Sequence, residues 1–506
     1  MEKSQDVHLE EDKRQEKEPF LEAIKEYIAS NPIPFDVPGH KMGRLHTDLV
    51  SLVGKDVFVA DINAPLGLDN LYHPKGVIQE AEELLASAFN ADEVLISVNG
   101  TTGGIMTMIN SLLRAKEKII IPRNVHKSVI NALILSGAYP IFVRPDVDEE
   151  TGIANGVPTE KYIEAMDENP DAKAIFVINP TYFGVTSDLK TIVEEAHKRD
   201  MLVMCDEAHG SHLHFNDKMP LSAMDAGADI SSCSLHKTGG SLTQTSLILI
   251  KKERIDFSRV QRVFAMFSST SPNHVLLASV DAARKKLYFE GKDLLDKALE
   301  LSEYAREKIN KIPGVYSMDK SYCDRPGRFD FDETKLVINI SGLGKSGFDI
   351  FSEIRKKFNI QLELAEVSEI LAIISIGTLK EDVDKLIGAL AYLSKEYYEV
   401  KEDYVVPHFN YVYPDLAVRP REAFNAPSKI IKLSDSIGEI SAESIMIYPP
   451  GIPIAIPGEI ISQNALELVE FYQDSGGVLL SDSPDGYIKV IDQSKWYLGS
   501  EIDYDF

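Results

Sequence analysis

From residue 77 onward the chain repeats one pattern, a longer amphipathic run followed by a short run that is apolar at nearly every position. Residues 77–89, 104–113, 127–137 and 189–200 carry apolar side chains at helical spacing. Between them, residues 93–98, 118–122, 139–145, 172–179, 201–207 and 228–236 read as strands. A strand without a polar face has to be covered on both sides. A helix between two such strands returns the chain so that the next one runs in the same direction. The pattern therefore predicts an α/β fold with a mostly parallel sheet clothed by helices, extending to about residue 325.

At 506 residues the chain exceeds what one core can organise. The text changes after residue 325: residues 336–341 and 370–377 read as strands, 348–358 and 380–400 as helices, which is the pattern of a smaller α+β domain. A proline-rich region follows. The expected division is an N-terminal tail, helix and arm over 1–60, a large α/β domain over 61–325, a small α+β domain over 326–400 and a C-terminal domain over 401–506. Residues before Pro19 are expected to form a loose solvated tail. Residues 20–30 read as a short amphipathic helix, and the Pro/Gly-rich segment 32–43 as irregular.

A formal charge of −26 disfavours a nucleic-acid partner. No apolar run is long enough to span a bilayer, and the charged first residues hold no signal-peptide core, so no membrane partner is expected. Three cysteines without a CxxC pair fit a reduced, cytoplasmic setting.

Four stretches carry chemistry. Ser97–Gly104 joins a strand to a helix with small residues and hydroxyls, a turn that can close backbone N–H groups on a phosphate; it is neither a Walker loop nor GxGxxG. Asp206 ends an apolar strand, where α/β sheets place ligands, and a carboxylate there needs a cationic or N–H partner. Lys237 follows another apolar strand and precedes Gly239 and Gly240, an unusual setting for a surface lysine. His126 lies between the phosphate-type loop and the acid. Each alone has an ordinary structural reading: a turn, a buried ion pair, a loop lysine, a packed histidine. Their order, with each at a strand end, is what points to a site.

The order and the wording of these motifs resemble the Orn/Lys/Arg decarboxylase family of fold-type-I pyridoxal-phosphate (PLP) enzymes, and within it the short biosynthetic arginine decarboxylases of bacteria. The resemblance runs through Val37-Pro38-Gly39-His40-Lys41, Arg123-Asn124-Val125-His126-Lys127-Ser128 and Asn179-Pro180-Thr181-Tyr182-Phe183-Gly184-Val185. It continues through Asp206-Glu207-Ala208-His209-Gly210, Ser234-Leu235-His236-Lys237, Tyr448-Pro449-Pro450-Gly451-Ile452-Pro453 and Pro457-Gly458-Glu459.

The resemblance implies that Lys237 carries PLP as a Schiff base and that Asp206 holds the pyridine nitrogen protonated. Ala208 would lie under the ring and His126 over its other face. Thr101, Thr102 and Gly103 would bind the phosphate, assisted by Ser234 and His236. Ser269 and Thr270 match a stretch directed to a neighbouring subunit's phosphate, implying a homodimer or a dimer-based assembly with the site at the interface. The early position of Val37-Pro38-Gly39-His40 leaves no room for the N-terminal wing of larger members, so a ring of ten is not expected. The implied reaction is α-decarboxylation of a basic amino acid, L-arginine to agmatine and CO2, serving polyamine and spermidine biosynthesis; lysine or ornithine is the alternative. Lys237 or His236 would return the proton to Cα. Glu459, His209 and His40 are the expected substrate contacts, with Lys41 beside the entrance and Glu363 and Glu366 as further acids. The rival from another class is a metal-dependent hydrolase built on Asp206, His209, His212 and His214. An aminotransferase or an aldolase-type lyase could use the same acid and lysine.

Overall fold

The computed structural model describes residues 2–45, 47–63, 65–398, 412–448 and 452–496. The chain forms two compact units, neither of them a contiguous stretch: residues 1–112 with 202–297, and residues 113–201 with 298–506.

The strands of the α/β pattern are β1 (Glu93–Ser97), β2 (Lys118–Pro122), β3 (Tyr139–Val143), β4 (Ala174–Ile178), the two-residue β5 (Val185–Thr186), β6 (Leu202–Asp206), β7 (Ile230–Cys233) and β8 (Ser246–Ile250). In the first unit they follow the order β1–β8–β7–β6. β6 and β7 are parallel, whereas β8 runs antiparallel to both β7 and β1. β1, β6 and β7 thus point the same way and end on one edge. In the second unit β2 pairs in parallel with both β3 and β4. The reversed β8 is invisible in the text: Ser246–Ile250 is buried at every position, and an all-apolar strand has no face from which to infer direction.

In the first unit, the helix Gly100–Leu112 lies against β7 at a very close approach. A β-carbon on Gly104 would sit 2.0 Å from Ser232 Oγ and 2.9 Å from Ser232 Cβ. Gly104→Ala is therefore expected to destabilise the fold by about 1–3 kcal/mol through overpacking, measured by denaturant unfolding. Unchanged stability would show that the helix can shift outward at no cost.

The tail expectation is corrected. Glu2–Gln15 is a helix, and its end is buried in polar contacts: Gln15 Nε2 donates to the Leu84 carbonyl, while Arg284 Nη1 donates to Gln15 O (2.6 Å) and Oε1 (2.7 Å). Asp281 balances Arg284 and also accepts from the Phe20 amide (3.0 Å). Local composition favours a solvated tail; partners more than 250 residues away override it.

The second unit also holds a four-stranded antiparallel sheet, ordered Leu364–Ala365, Glu369–Ile373, Lys335–Asn339, Tyr316–Ser317. Helices Gly347–Phe358 and Lys380–Tyr397 cover it, sharing a core of Leu336, Ile338, Ile354, Ile370 and Leu390. Further strands of that unit form two pairs, Asp330–Phe331 with β5 and Ser428–Lys432 with Tyr487–Ile491, and a triplet centred on Ile445–Tyr448. Among the described residues no helix is long and apolar enough to cross a membrane.

Candidate active site

The shared edge of β1, β6 and β7 gathers most of the residues singled out above. The chain leaves β1 at Ser97 and enters the helix Gly100–Leu112 through Gly100, whose φ of +65° suits glycine. Thr101, on the first turn of that helix, lies 2.6 Å through its hydroxyl from the Ser234 hydroxyl. Ser234 in turn follows β7 and immediately precedes the short helix Leu235–Thr238, which carries His236 and Lys237. Two hydroxyls at a helix N-terminus, with buried Gly103 beside them, are donors that could receive a dianionic phosphate. Thr102 faces solvent.

Asp206 closes β6 opposite Ser232 of β7 and is 6% exposed. Burial pushes its carboxyl above the ordinary carboxylate range; the Ala208 amide (3.1 Å) and the charge of Lys237 pull the other way without prevailing. A buried carboxyl in this condition is best stabilised in its charged form by a cationic N–H donor. Lys237 Nζ lies 2.9 Å from Nε2 of the buried His209. His236 points elsewhere: its Nδ1 donates to the Thr245 carbonyl at 2.8 Å. A phosphate cradle, a buried acid and a lysine amine, all in one unit, are the groups PLP needs, and the donor set fits that cofactor.

His126 belongs to the second unit, where it caps the helix Lys127–Ser136. Its Nδ1 accepts from the Ser128 amide (3.2 Å) and meets Ser128 Oγ at 2.9 Å, which leaves the proton on Nε2. The ring orientation is thus set locally. Ser269 and Thr270 are exposed, between the helices Phe257–Phe267 and His274–Ile309. His40 is engaged with Asp61 (3.1 Å) and accepts from the Gly43 amide. Lys41 is half-buried and contacts the Asp36 carbonyl. Pro449, Pro450 and Gly451 lie outside the described residues.

Of the acids considered for the substrate, Glu363 accepts from the Tyr182 hydroxyl at 2.5 Å. Glu366 is buried and pushed up to about 8. Glu459 is fully buried with both oxygens committed to Arg123, at 2.7 Å each. Arg123 had no assigned role in the sequence reading. The signal was present, since an arginine directly after an all-apolar strand requires a buried acceptor, but nothing in the text names one 336 residues away.

The hydrolase reading is corrected here. His214 pairs with Asp225 (2.7 Å) and His209 with Lys237, so these side chains do not converge. Among the described residues no group of three or more His, Cys, Asp or Glu side chains is arranged to hold a metal.

Glu207, beside Asp206, is 2% exposed and accepts from the Ala223 amide (2.8 Å) and Ser231 Oγ (3.3 Å). Burial, with Asp225 and Asp206 as like-charged neighbours, raises it to about 8. The folded protein then holds this proton over a pH range in which the unfolded chain has lost it. Its contribution is most favourable near and below the unfolded value of 4.5, and is lost as pH climbs from there through about 8. Glu207→Gln is expected to flatten the fall in unfolding free energy between pH 5 and 8, as read by urea titrations at several pH values. A slope identical to the parent's would rule this proton out.

Sequence comparison adds the decisive observation. The family described as Orn/Lys/Arg decarboxylase, major domain, matches residues 18–382, and the C-terminal domain of the same family matches residues 406–476. The chain belongs to the Orn/Lys/Arg decarboxylase family. Family membership makes it a decarboxylase, a carboxy-lyase. An arginine decarboxylase of Halalkalibacterium halodurans is 43% identical over 458 residues, 90% of this chain and 93% of that protein. One from Bacillus subtilis is 41% identical over 487 residues, 95% of this chain and 99% of the relative. Among solved structures, the Francisella novicida lysine decarboxylase superposes with a TM-score of 0.82 at 22% identity, covering 94% of this chain and 81% of that one. This last likeness concerns the fold, and it bears out the α/β class read from the text.

Proposed function

We propose that this decarboxylase acts on L-arginine with PLP, releasing CO2 and leaving agmatine. The observation that carries the reading is that a buried acid, Asp206, at the end of β6 and a lysine, Lys237, just after β7 stand on the strand edge that also bears the Thr101–Ser234 hydroxyl pair. Bound there, PLP supplies the electron sink for cleavage of the bond between Cα and the carboxylate.

The chain's own groups do the rest. Thr101, Ser234 and the backbone around Gly103 would anchor the phosphate, and Asp206 would favour a proton on the ring nitrogen. Lys237 would tether the cofactor through its side-chain amine. His209, 2.9 Å from Lys237 Nζ, can hold or return a proton at that nitrogen. His126 offers a ring fixed in orientation for stacking.

Arginine is favoured because the relatives at 41–43% identity are arginine decarboxylases, whereas the lysine decarboxylases of Hafnia alvei and Escherichia coli are 24% identical. CO2 release from arginine, lysine and ornithine, measured side by side, tests the choice. Arginine is expected to give the highest kcat/KM, and faster release from either of the others overturns it.

A homodimer completes the reading, with Ser269 and Thr270 serving the partner's phosphate and His40 near its entrance. Its supports are the exposure of both hydroxyls and the apolar side chains Phe35, Leu49, Leu52 and Leu66, all more than half exposed within one segment. Three free cysteines suit a cytoplasmic enzyme, one whose product would feed polyamine, and so spermidine, biosynthesis. The four-part division at residues 60, 325 and 400 is part of this proposal.

A further inference from the structure

Strand β8 lies between β1 and β7 and runs against both, so its first residues arrive at the edge where those two strands end. Ser97, at the end of β1, pairs with Ser246 at the start of β8, and Cys233, at the end of β7, pairs with Leu247. A parallel β8 would have begun at the opposite edge. The reversal therefore delivers the turn Leu242–Thr245 between the Thr101 side of the edge and the Lys237 side.

That turn bonds to both. The Gln244 carbonyl accepts from the Gly100 amide at 2.8 Å, one residue before Thr101. The Thr245 carbonyl accepts from His236 Nδ1 at 2.8 Å, one residue before Lys237. With the Thr101–Ser234 hydroxyl contact of 2.6 Å, three hydrogen bonds close a ring through the ends of β1 and β7 and the start of β8.

The turn holds this position against its own backbone preference. Gln244 has a φ of +83°, whereas the eight other non-glycine residues with positive φ, among the described residues, lie between +48° and +70°. The Thr245 amide donates to the Leu242 carbonyl at 3.3 Å, which makes Gln244 the third residue of a β-turn. A φ near +80° at that place is type II geometry, and it ordinarily calls for glycine. A side chain stays there only where the surroundings over-determine the backbone. They do so here. Thr245 Oγ1 donates to the Leu242 carbonyl at 2.8 Å and meets the Ser241 hydroxyl, and the Leu242 amide donates to Ser279 Oγ at 3.2 Å. The Gln244 side chain itself is exposed. What this residue contributes to the edge is the direction of its carbonyl.

We propose that Gln244 is a positioning residue. Its left-handed backbone keeps the turn Leu242–Thr245 bonded to Gly100 and His236, and so fixes the spacing between the phosphate-binding hydroxyls and Lys237. That spacing sets how firmly the cofactor is held. The proposal rests on the PLP reading above, and all of its residues belong to the first unit.

The test uses the full-length holoenzyme with two substitutions of opposite backbone preference. Gln244→Val brings a β-branched side chain that resists positive φ, and Gln244→Gly adopts it freely. Gln244→Val is expected to lose PLP on dialysis faster than the parent and to shift the visible absorption band of the bound cofactor. It should also lower kcat/KM about 10- to 100-fold through kcat. Gln244→Gly is expected to match the parent on all three. In the apoproteins, hydrogen exchange of the peptide spanning 97–104 should be faster in Gln244→Val than in the parent or Gln244→Gly; equal exchange counts against the proposal. Should Gln244→Val fail to fold, Ser279→Ala releases the Leu242 amide from outside the edge and is expected to show the same faster exchange and cofactor defect to a lesser degree. Equal loss in Gln244→Gly and Gln244→Val would assign the effect to the side-chain amide and overturn the proposal. A lowered melting temperature in Gln244→Val, with cofactor and kinetics intact, would overturn it too. A parent chain that takes up no PLP would refute the function reading instead, and the exchange measurement would still decide this one.

Discussion

Lys237→Ala is expected to abolish arginine decarboxylation, lowering kcat by at least about 10⁴-fold, because one substitution removes both the tether and an acid–base group. The side chain stands on a four-residue helix at the edge of β7, half-buried, and its loss takes a partner from the buried His209 and an opposing charge from the buried Asp206. The cost to folding should be modest, about 1–2 kcal/mol. Two measurements separate the role from a general defect. Borohydride reduction of the parent holoenzyme should fix a pyridoxyl group to the peptide containing residue 237, and in Lys237→Ala to no peptide. Urea unfolding of the two apoproteins should remain a single transition, with the midpoint of Lys237→Ala only slightly lowered. A mutant with full turnover, or a label found on another lysine, would remove Lys237 from the mechanism.

Asp206→Asn is expected to lower kcat by about 10²–10³-fold with little change in KM, since the amide keeps the shape of the acid and loses the charge that stabilises a protonated ring nitrogen. The sign of its effect on stability should be opposite. Burial raises the Asp206 carboxyl above its unfolded value, so ionising it near neutral pH costs the folded apoprotein stability. The Asn variant should therefore unfold at equal or higher urea concentration than the parent at pH 7. Loss of turnover together with gained stability marks a group kept for chemistry. If Asp206→Asn were both active and less stable, the carboxylate would be structural.

Most of the α/β frame was legible because its strands are apolar throughout and its helices are strictly periodic. Glu93–Ser97, Lys118–Pro122, Ala174–Ile178 and Leu202–Asp206 emerged within a residue or two of where they were read. The acid, the lysine and the phosphate turn were legible for a related reason. Each is a polar or flexible residue directly after an apolar run, and in an α/β sheet such positions fall on one edge. The helix at Glu2–Gln15 was not legible, because the residues that hold its end, Leu84 and Arg284, lie far along the chain. Nor was the division of labour among the acids. Glu363, Glu366 and Glu459 look alike in a string of letters, and only coordinates show one on a tyrosine, one buried and shifted upward, and one locked to an arginine.

The frame is written along the chain: periodicity decides what must be buried, and short-range spacing places the turn, the acid and the lysine at strand ends, while the chemical class came from the resemblance of those motifs to a known family. Tertiary structure alone decided the direction of Ser246–Ile250, the His209–Lys237 contact and the commitment of Glu459 to Arg123. The physical reason is common to all three. Hydrogen bonds and ion pairs between distant residues depend on distance and angle in space, and these leave no periodic trace along the chain.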